Sequence, residues 1–486
     1  MRIRFPYDAR VSTLRLQTKL SYGIGQLGEG IKNTAFELFL FFYYNQVLGL
    51  SGTYAGAATF LALVIDAFFD PFLGSLSDSL RSRWGRRHPF MYGGAVPFGV
   101  LFYLLFVPPS GLGELGLFLW LTTFAVLVRM AMAVYLIPHN AMGAELSADY
   151  HERTSIGGWR LLFGFLGGFA TSTVGLGYFF RDTPDHPLGQ RNAEAYPEFA
   201  LCFAVAASLA VLWSAFGTHS RIPHLVEPAH DPEPLSFGRL WRELRDSLQS
   251  PSFRALFVGT LVFFVTRGVQ TTLGLHLSVH FWELGSREIL YVSLISFAGL
   301  LIGLPFWTVM SRRTDKKPSF MIGVTIFSIF VVIGPVLKLA GIWPARENET
   351  MYLGLLAAFG FMGTFGAAAS LVTATSMMAD LTDEHEYDTG RRQEGIFFGA
   401  LAFSGKASSG LGHAIAGVAL DLISFPTNAD RGTVPPDVVR HLGMLYGPAT
   451  ILVLIAGVVY FARYTLTATR VSEIQKVLEQ RRTAVR

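Results

Sequence analysis

The sequence predicts an all-α membrane protein of twelve transmembrane helices arranged as two six-helix bundles. Three observations carry this. Of 486 residues, 51% are hydrophobic and only 15% are charged, where a soluble chain holds about 25% Asp, Glu, Lys and Arg. The mean hydropathy of +0.41 does not suit a water-facing surface. The uncharged stretches are also long. Residues 89–113, 161–180, 289–310 and 351–379 contain no Asp, Glu, Lys or Arg, and each reaches the ~20 residues that span a bilayer. The apolar content excludes disorder, and the single Cys202 excludes a disulfide scaffold.

The elements follow in order. A basic start (Arg2, Arg4, Arg10, Arg15, Lys19) leads into span 20–48, which is too long for a signal-peptide core. Span 53–80 ends in Arg81-Ser82-Arg83-Trp84-Gly85-Arg86-Arg87-His88, and span 89–108 starts at once. Spans 115–144, 156–180 and 199–217 complete a first set of six. Residues 218–252, rich in Pro and charge, read as a linker. Spans 253–280 and 288–310 follow, the latter ending in Ser311-Arg312-Arg313-Thr314-Asp315-Lys316-Lys317-Pro318. Spans 319–340, 351–379, 394–423 and 441–461 complete the second set. The expected division is therefore 1–217, a linker 218–252, 253–464, and a tail 465–486. A basic turn at matching places implies two related bundles with a path between them.

Twelve spans return both termini to one side. Loops on that side hold about 25 Lys and Arg and the opposite loops about 6, so both termini are expected in the cytoplasm. The net charge of +4 follows from this asymmetry, and no nucleic-acid partner is needed. The Arg-rich tails are expected to meet anionic lipid heads.

Several motifs carry a resemblance. Gly74-Ser75-Leu76-Ser77-Asp78 followed by Gly85-Arg86-Arg87 resembles the loop 2–3 signature of the major facilitator superfamily. Lys19-Leu20-Ser21-Tyr22-Gly23, Asp66-Ala67-Phe68-Phe69-Asp70-Pro71 and Asn140-Ala141-Met142-Gly143-Ala144-Glu145-Leu146 are more specific. So are Asp149-Tyr150-His151-Glu152-Arg153-Thr154, Gly158-Trp159-Arg160, Met378-Ala379-Asp380, Glu386-Tyr387, Arg392-Gln393-Glu394-Gly395 and Lys406. In order and spacing these resemble the glycoside–pentoside–hexuronide:cation symporters, the family of melibiose permease. The resemblance implies the major facilitator fold and secondary active sugar uptake driven by a cation gradient, working by alternating access.

The residues point to the same places on physical grounds. A charge at a helix centre costs ~2.5–3.5 kcal/mol on insertion scales, so such residues are functional by default. Asp66 and Asp70 lie four apart and share a helix face. Two close carboxylates in a low dielectric cannot both stay ionised without a cation beside them, which makes a natural H⁺ or Na⁺ site. The alternative is a structural pairing with Lys or Arg from another helix. The resemblance implies that both acids bind the cation. It also places a cation-ligating Asn and Thr where this chain has Phe69 and Ala133. Na⁺ wants several hard oxygens, so H⁺ is favoured.

Lys406, near the middle of its span, is either a snorkelling lysine or, as the resemblance implies, the cation that faces Asp66 and Asp70 and holds the empty site. Arg160 matches a family arginine that hydrogen-bonds sugar hydroxyls, which suits a guanidinium fork; the alternative is an interfacial arginine. Asn140 can hydrogen-bond a sugar, while Gly30 and Leu136 stand where the permease has acids, so an α-galactoside is not expected. Glu29 and Lys32 form an i, i+3 pair, and Glu29 and Tyr22 are further candidate sugar contacts. Glu37, Arg129 and Arg267 have no assignment. Asp78, Arg86 and Arg153 in the first half and Asp380 and Glu386 in the loop after span ten are candidate gating groups, alternatively plain solvated charge.

Other signals are set aside. Gly23-Ile24-Gly25-Gln26-Leu27-Gly28 lies in an apolar span with no preceding strand and reads as close helix packing. His151-Glu152 lacks the second His of a zinc hydrolase, and Asn348-Glu349-Thr350 is a bare sequon. The expectation is a monomeric inner-membrane sugar or glycoside symporter, not an enzyme, with no cofactor and with H⁺ or Na⁺ as coupling ion. The alternative within transport is a lysophospholipid or other amphiphile carrier.

Overall fold

The computed structural model describes residues 14–147, 149–225, 245, 248–390 and 394–484. Arg2, Arg4, Arg10, Arg392, Gln393 and most of the expected linker lie outside the described residues. Every regular element described is helical. We number the helices α1 to α13. The path of α1 is Leu16–Ile24 and Gln26–Thr34, continued by π turns Ala35–Leu40 and Tyr43–Val47. Then come α2 (Gly52–Ser79), α3 (His88–Leu105), α4 (Glu114–Glu145), α5 (Tyr150–Val174, with a π turn Gly175–Phe179) and α6 (Ala195–Thr218). The second half holds α7 (Pro251–His276, with a π turn Leu277–Phe281), α8 (Ser286–Thr314), α9 (Lys316–Leu339), α10 (Glu349–Thr389) and α11 (Glu394–Leu422). Its last span, α12, is Pro436–Tyr446 and Pro448–Phe461, broken at Gly447-Pro448. Among the described residues ten helices are long and apolar enough to cross a membrane; α1 and α11 run beside them to make twelve.

The packing repeats with an offset of six helices. In the first half α1 packs on α5 and α6, α2 and α3 on α4, and α3 on α6. In the second half α7 packs on α11 and α12, α8 and α9 on α10, and α9 on α12. The molecule is thus two bundles of one design. The main seam between them is α2 against α11, with α5 on α8 and the π segment of α1 on α7. Small residues set the seam. A Cβ on Gly417 would fall 2.0 Å from the Gly52 carbonyl oxygen, and one on Gly56 would fall 2.7 Å from that of His413. Glycine is what lets the backbones meet. The glycines of α1 do the same work. A Cβ on Gly30 would sit 2.0 Å from the Gly164 oxygen.

Two expectations are corrected here. The acids from Asp380 to Asp388 lie not in a loop but on the last turns of α10, which runs to Thr389. Nothing breaks that helix until Gly390, whose φ of +70° makes a left-handed cap. The tail also folds, as α13 (Ala468–Ala484). Val471, Ile474 and Leu478 are buried and share one helical face. Gln475 donates to Asp383 at 3.0 Å, and Arg470 and Arg481 stack on the Tyr387 ring.

Candidate functional site

The α2–α11 seam carries the buried charges. Each lies well inside a helix, in apolar surroundings that leave it only other helices for partners. Lys406 Nζ donates to Asp66 Oδ2 at 2.8 Å and also to Asp70 Oδ2. The ammonium therefore sits between two carboxylates that α2 places one turn apart. Asp66 is 4% exposed, and Asp70 Oδ1 is buried with no hydrogen-bond partner. Arg129 from α4 reaches Asp66 Oδ2 at 3.8 Å and lies over the Phe36 ring of α1, 4.8 Å from its centroid. On α1, Lys32 pairs with Glu29 at 3.0 Å, and Asn33 donates to the same carboxylate at 3.0 Å. Three acids (Glu29, Asp66, Asp70) thus meet three bases (Lys32, Arg129, Lys406) on four helices. Balanced in this way, the cluster can stay in the membrane interior, and any added cation must displace one of its own.

Of the residues singled out for sugar, Glu29 falls in this charge cluster on Lys32, while Arg160, Asn140 and Tyr22 form a second group nearer the end where the termini lie. Arg160 Nη1 donates to Asn140 Oδ1 at 2.7 Å, joining α5 to α4; both side chains are half-buried. Tyr22 is fully buried. Its ring stacks on His139 with centroids 4.2 Å apart, and His139 Nε2 is 2.8 Å from the Tyr22 carbonyl. Tyr22 and His139 support this group from behind, while Arg160 and Asn140 present polar atoms.

Sequence comparison adds a family to this geometry. Residues 21–468 match the family described as MFS/sugar transport protein. The chain belongs to that family. It is similar to the putative glycoside/cation symporter YagG of Escherichia coli, 24% identical over 98% of this chain and 97% of that protein. It is likewise similar to the isoprimeverose transporter of Lactiplantibacillus pentosus, 24% identical over 84% of this chain and 81% of that one. Among solved structures the nucleoside transporter NupG shares the fold, with a TM-score of 0.60 at 13% identity over 92% of this chain and 98% of NupG. The protein is a membrane transporter of the major facilitator superfamily, not an enzyme.

In a transporter of this family the contacts between the bundles set which side is closed. Here the far side, away from the termini, is bonded across the halves. Asp421 of α11 accepts from the backbone N–H groups of Gly52 and Thr53, at 2.9 and 2.7 Å, at the start of α2. Asp182 accepts from the Ser286 N–H at 3.0 Å and its hydroxyl at 2.8 Å. Arg191 pairs with Asp430, and Gln46 donates to the Pro426 carbonyl at 3.1 Å. Four of the expected gating groups have partners in their own halves. Asp78 lies 2.5 Å from Arg87, and Arg86 2.9 Å from Glu145; Asp380 lies 2.6 Å from Lys316. Arg153 donates to the Ser147 carbonyl at 2.7 Å, and Glu386 lies in the last turn of α10. Sequence reasoning missed Asp182, Asp421 and Asp430. Asp421 sits at the end of α11 and Asp182 and Asp430 in the connections between helices, where an acid draws no notice, and only the fold brings their partners near.

Proposed function

We propose that the protein is a cation-coupled sugar or glycoside symporter of the inner membrane, with both termini in the cytoplasm, and that H⁺ is its coupling ion. One observation carries this reading: the Lys406 ammonium stands between Asp66 and Asp70 at the seam of the two bundles. It occupies the place a coupling cation would take. A proton arriving at either carboxylate removes one of its two ion pairs and loosens α11 from α2. Conversely, loss of the proton restores both pairs and resets the seam. H⁺ is preferred because Phe69 and Ala133 offer no side-chain oxygen, and Na⁺ needs several. Arg160 and Asn140 are the sugar-facing groups, since a guanidinium fork and an amide match neighbouring hydroxyls. Two relatives named above as a glycoside and an isoprimeverose transporter support the substrate class.

The test is uptake of radiolabelled isoprimeverose and other glycosides into proteoliposomes under imposed gradients. Accumulation driven by an inward pH gradient and abolished by a proton uncoupler is expected. Uptake that needs Na⁺ at constant pH and ignores the uncoupler overturns the H⁺ assignment. Thermal stabilisation by a lysophospholipid and by none of the sugars overturns the substrate class.

A further inference from the structure

A cavity of about 390 Å³ lies between α1 and the second bundle, apart from Arg160 and Asn140. Three of its lining residues have no role in the sites above. Arg267 of α7 is exposed on this cavity. Its side chain makes no hydrogen bond or ion pair among the described residues. It lies fourteen residues from the end of the α7 span at Phe281, and Asp66 lies fourteen from the start of α2, so both are about 21 Å deep from the far side. An arginine at that depth calls for a polar partner. Gln270, one turn further along, is 5% exposed, and its Nε2 is buried with no partner. Such a leftover donor in a folded core is satisfied if the amide turns into the adjoining cavity. Glu37, on α1 of the other bundle, is exposed on the same cavity and has no ion pair among the described residues.

A cation and an anion thus face one chamber from opposite bundles without touching. We propose that Glu37, Arg267 and Gln270 form a sugar subsite bridging the two halves, and that it takes an uncharged ring. This rests on the sugar-symporter reading above. Each hydroxyl both accepts and donates. Neighbouring hydroxyls therefore accept from Arg267 and Gln270 on one edge and donate to Glu37 on the other. Phe330 and Tyr446 supply flat apolar faces in the same cavity, and its volume lies in the range of small-molecule sites. The opposite charges of Arg267 and Glu37 offset each other for any charged sugar, so neither an acidic nor an amino sugar gains net attraction over an uncharged ring that hydrogen-bonds both. A ligand held from both sides draws the bundles together, so occupancy itself favours the occluded form.

The test uses the purified full-length chain, with isoprimeverose and melibiose as uncharged probes and glucuronate as the charged one. Titration calorimetry gives the affinity, and melting without ligand checks folding. The unaltered chain is expected to bind an uncharged probe more tightly than glucuronate. Arg267→Gln and Glu37→Gln should each weaken that binding about tenfold or more, with Arg267→Lys and Gln270→Ala intermediate. These milder variants decide the matter if Arg267→Gln fails to fold. Unchanged affinity and uptake in the variants overturn the subsite and leave sugar symport standing. Preferred binding of glucuronate overturns the uncharged class. Binding of none of the probes by the unaltered chain overturns the sugar reading and this subsite with it.

Discussion

Lys406 has two acidic partners, and this decides what its loss does. Replacing it with Ala leaves Asp66 and Asp70 facing each other with Arg129, 3.8 Å from Asp66, and Lys32 of α1 as the remaining cations. Two adjacent carboxylates in that setting hold a proton between them. The expected outcome is a folded protein that exchanges sugar down its gradient but no longer concentrates it. Proteoliposome accumulation measured beside a melting curve checks both halves of this, and full accumulation by Lys406→Ala would refute the coupling role. These three residues were legible in the sequence because a charge in an apolar span demands a reason. Arg129 stood out equally and stayed unassigned. Its contact with Asp66 depends on α2 packing on α4, which periodicity does not encode. Arg267 and Glu37 were visible as charges too, but only the cavity shows that they face one another.

Helix count, order and the midpoints of the spans were readable from hydropathy alone, because lipid imposes a length and a composition on each crossing. Helix ends were less so. Beyond Ala379 the acids of α10 look like a loop, yet an acidic helix continues wherever no breaker intervenes, and the breaker is Gly390. The tail was legible as basic but not as a folded element, since its apolar face matters only when α10 is long enough to receive it. Ile474→Asp should therefore release α13 without disturbing the membrane bundles. Limited proteolysis is expected to cut near residue 470 several-fold faster, with ligand binding intact. The α2–α11 seam makes a sharper prediction. Gly417→Val puts side-chain carbon where the Gly52 backbone already lies, so the far side must open. In a Cys202→Ser background, Thr53→Cys should then react several-fold faster with a membrane-impermeant maleimide. An unchanged rate would mean that the seam yields elsewhere.

At the scale of the whole molecule, two repeated bundles are bonded to each other on the far side in this conformation. Turning the transporter over requires these bonds to break. Removing the Asp421 carboxylate, as Asp421→Ala, should cost the closed far side about 1–2 kcal/mol, the usual worth of a helix N-cap. That is roughly a tenfold shift toward the form open on the far side, readable by spin-label distances between the far-side ends of α2 and α11. The bonding also has a hereditary side. Asp421 is held by backbone N–H groups, which every residue type except proline supplies. Point changes at position 53 other than to proline therefore keep the donor, whereas any side chain at 52 would fall 2.4 Å from the Gly417 oxygen and strain the same bond, and almost any change at 421 removes the acceptor. Selection on the ease of opening would act at Asp421 and at Gly52, and a screen for variants restoring balance to a sluggish transporter should return hits at both and few at Thr53.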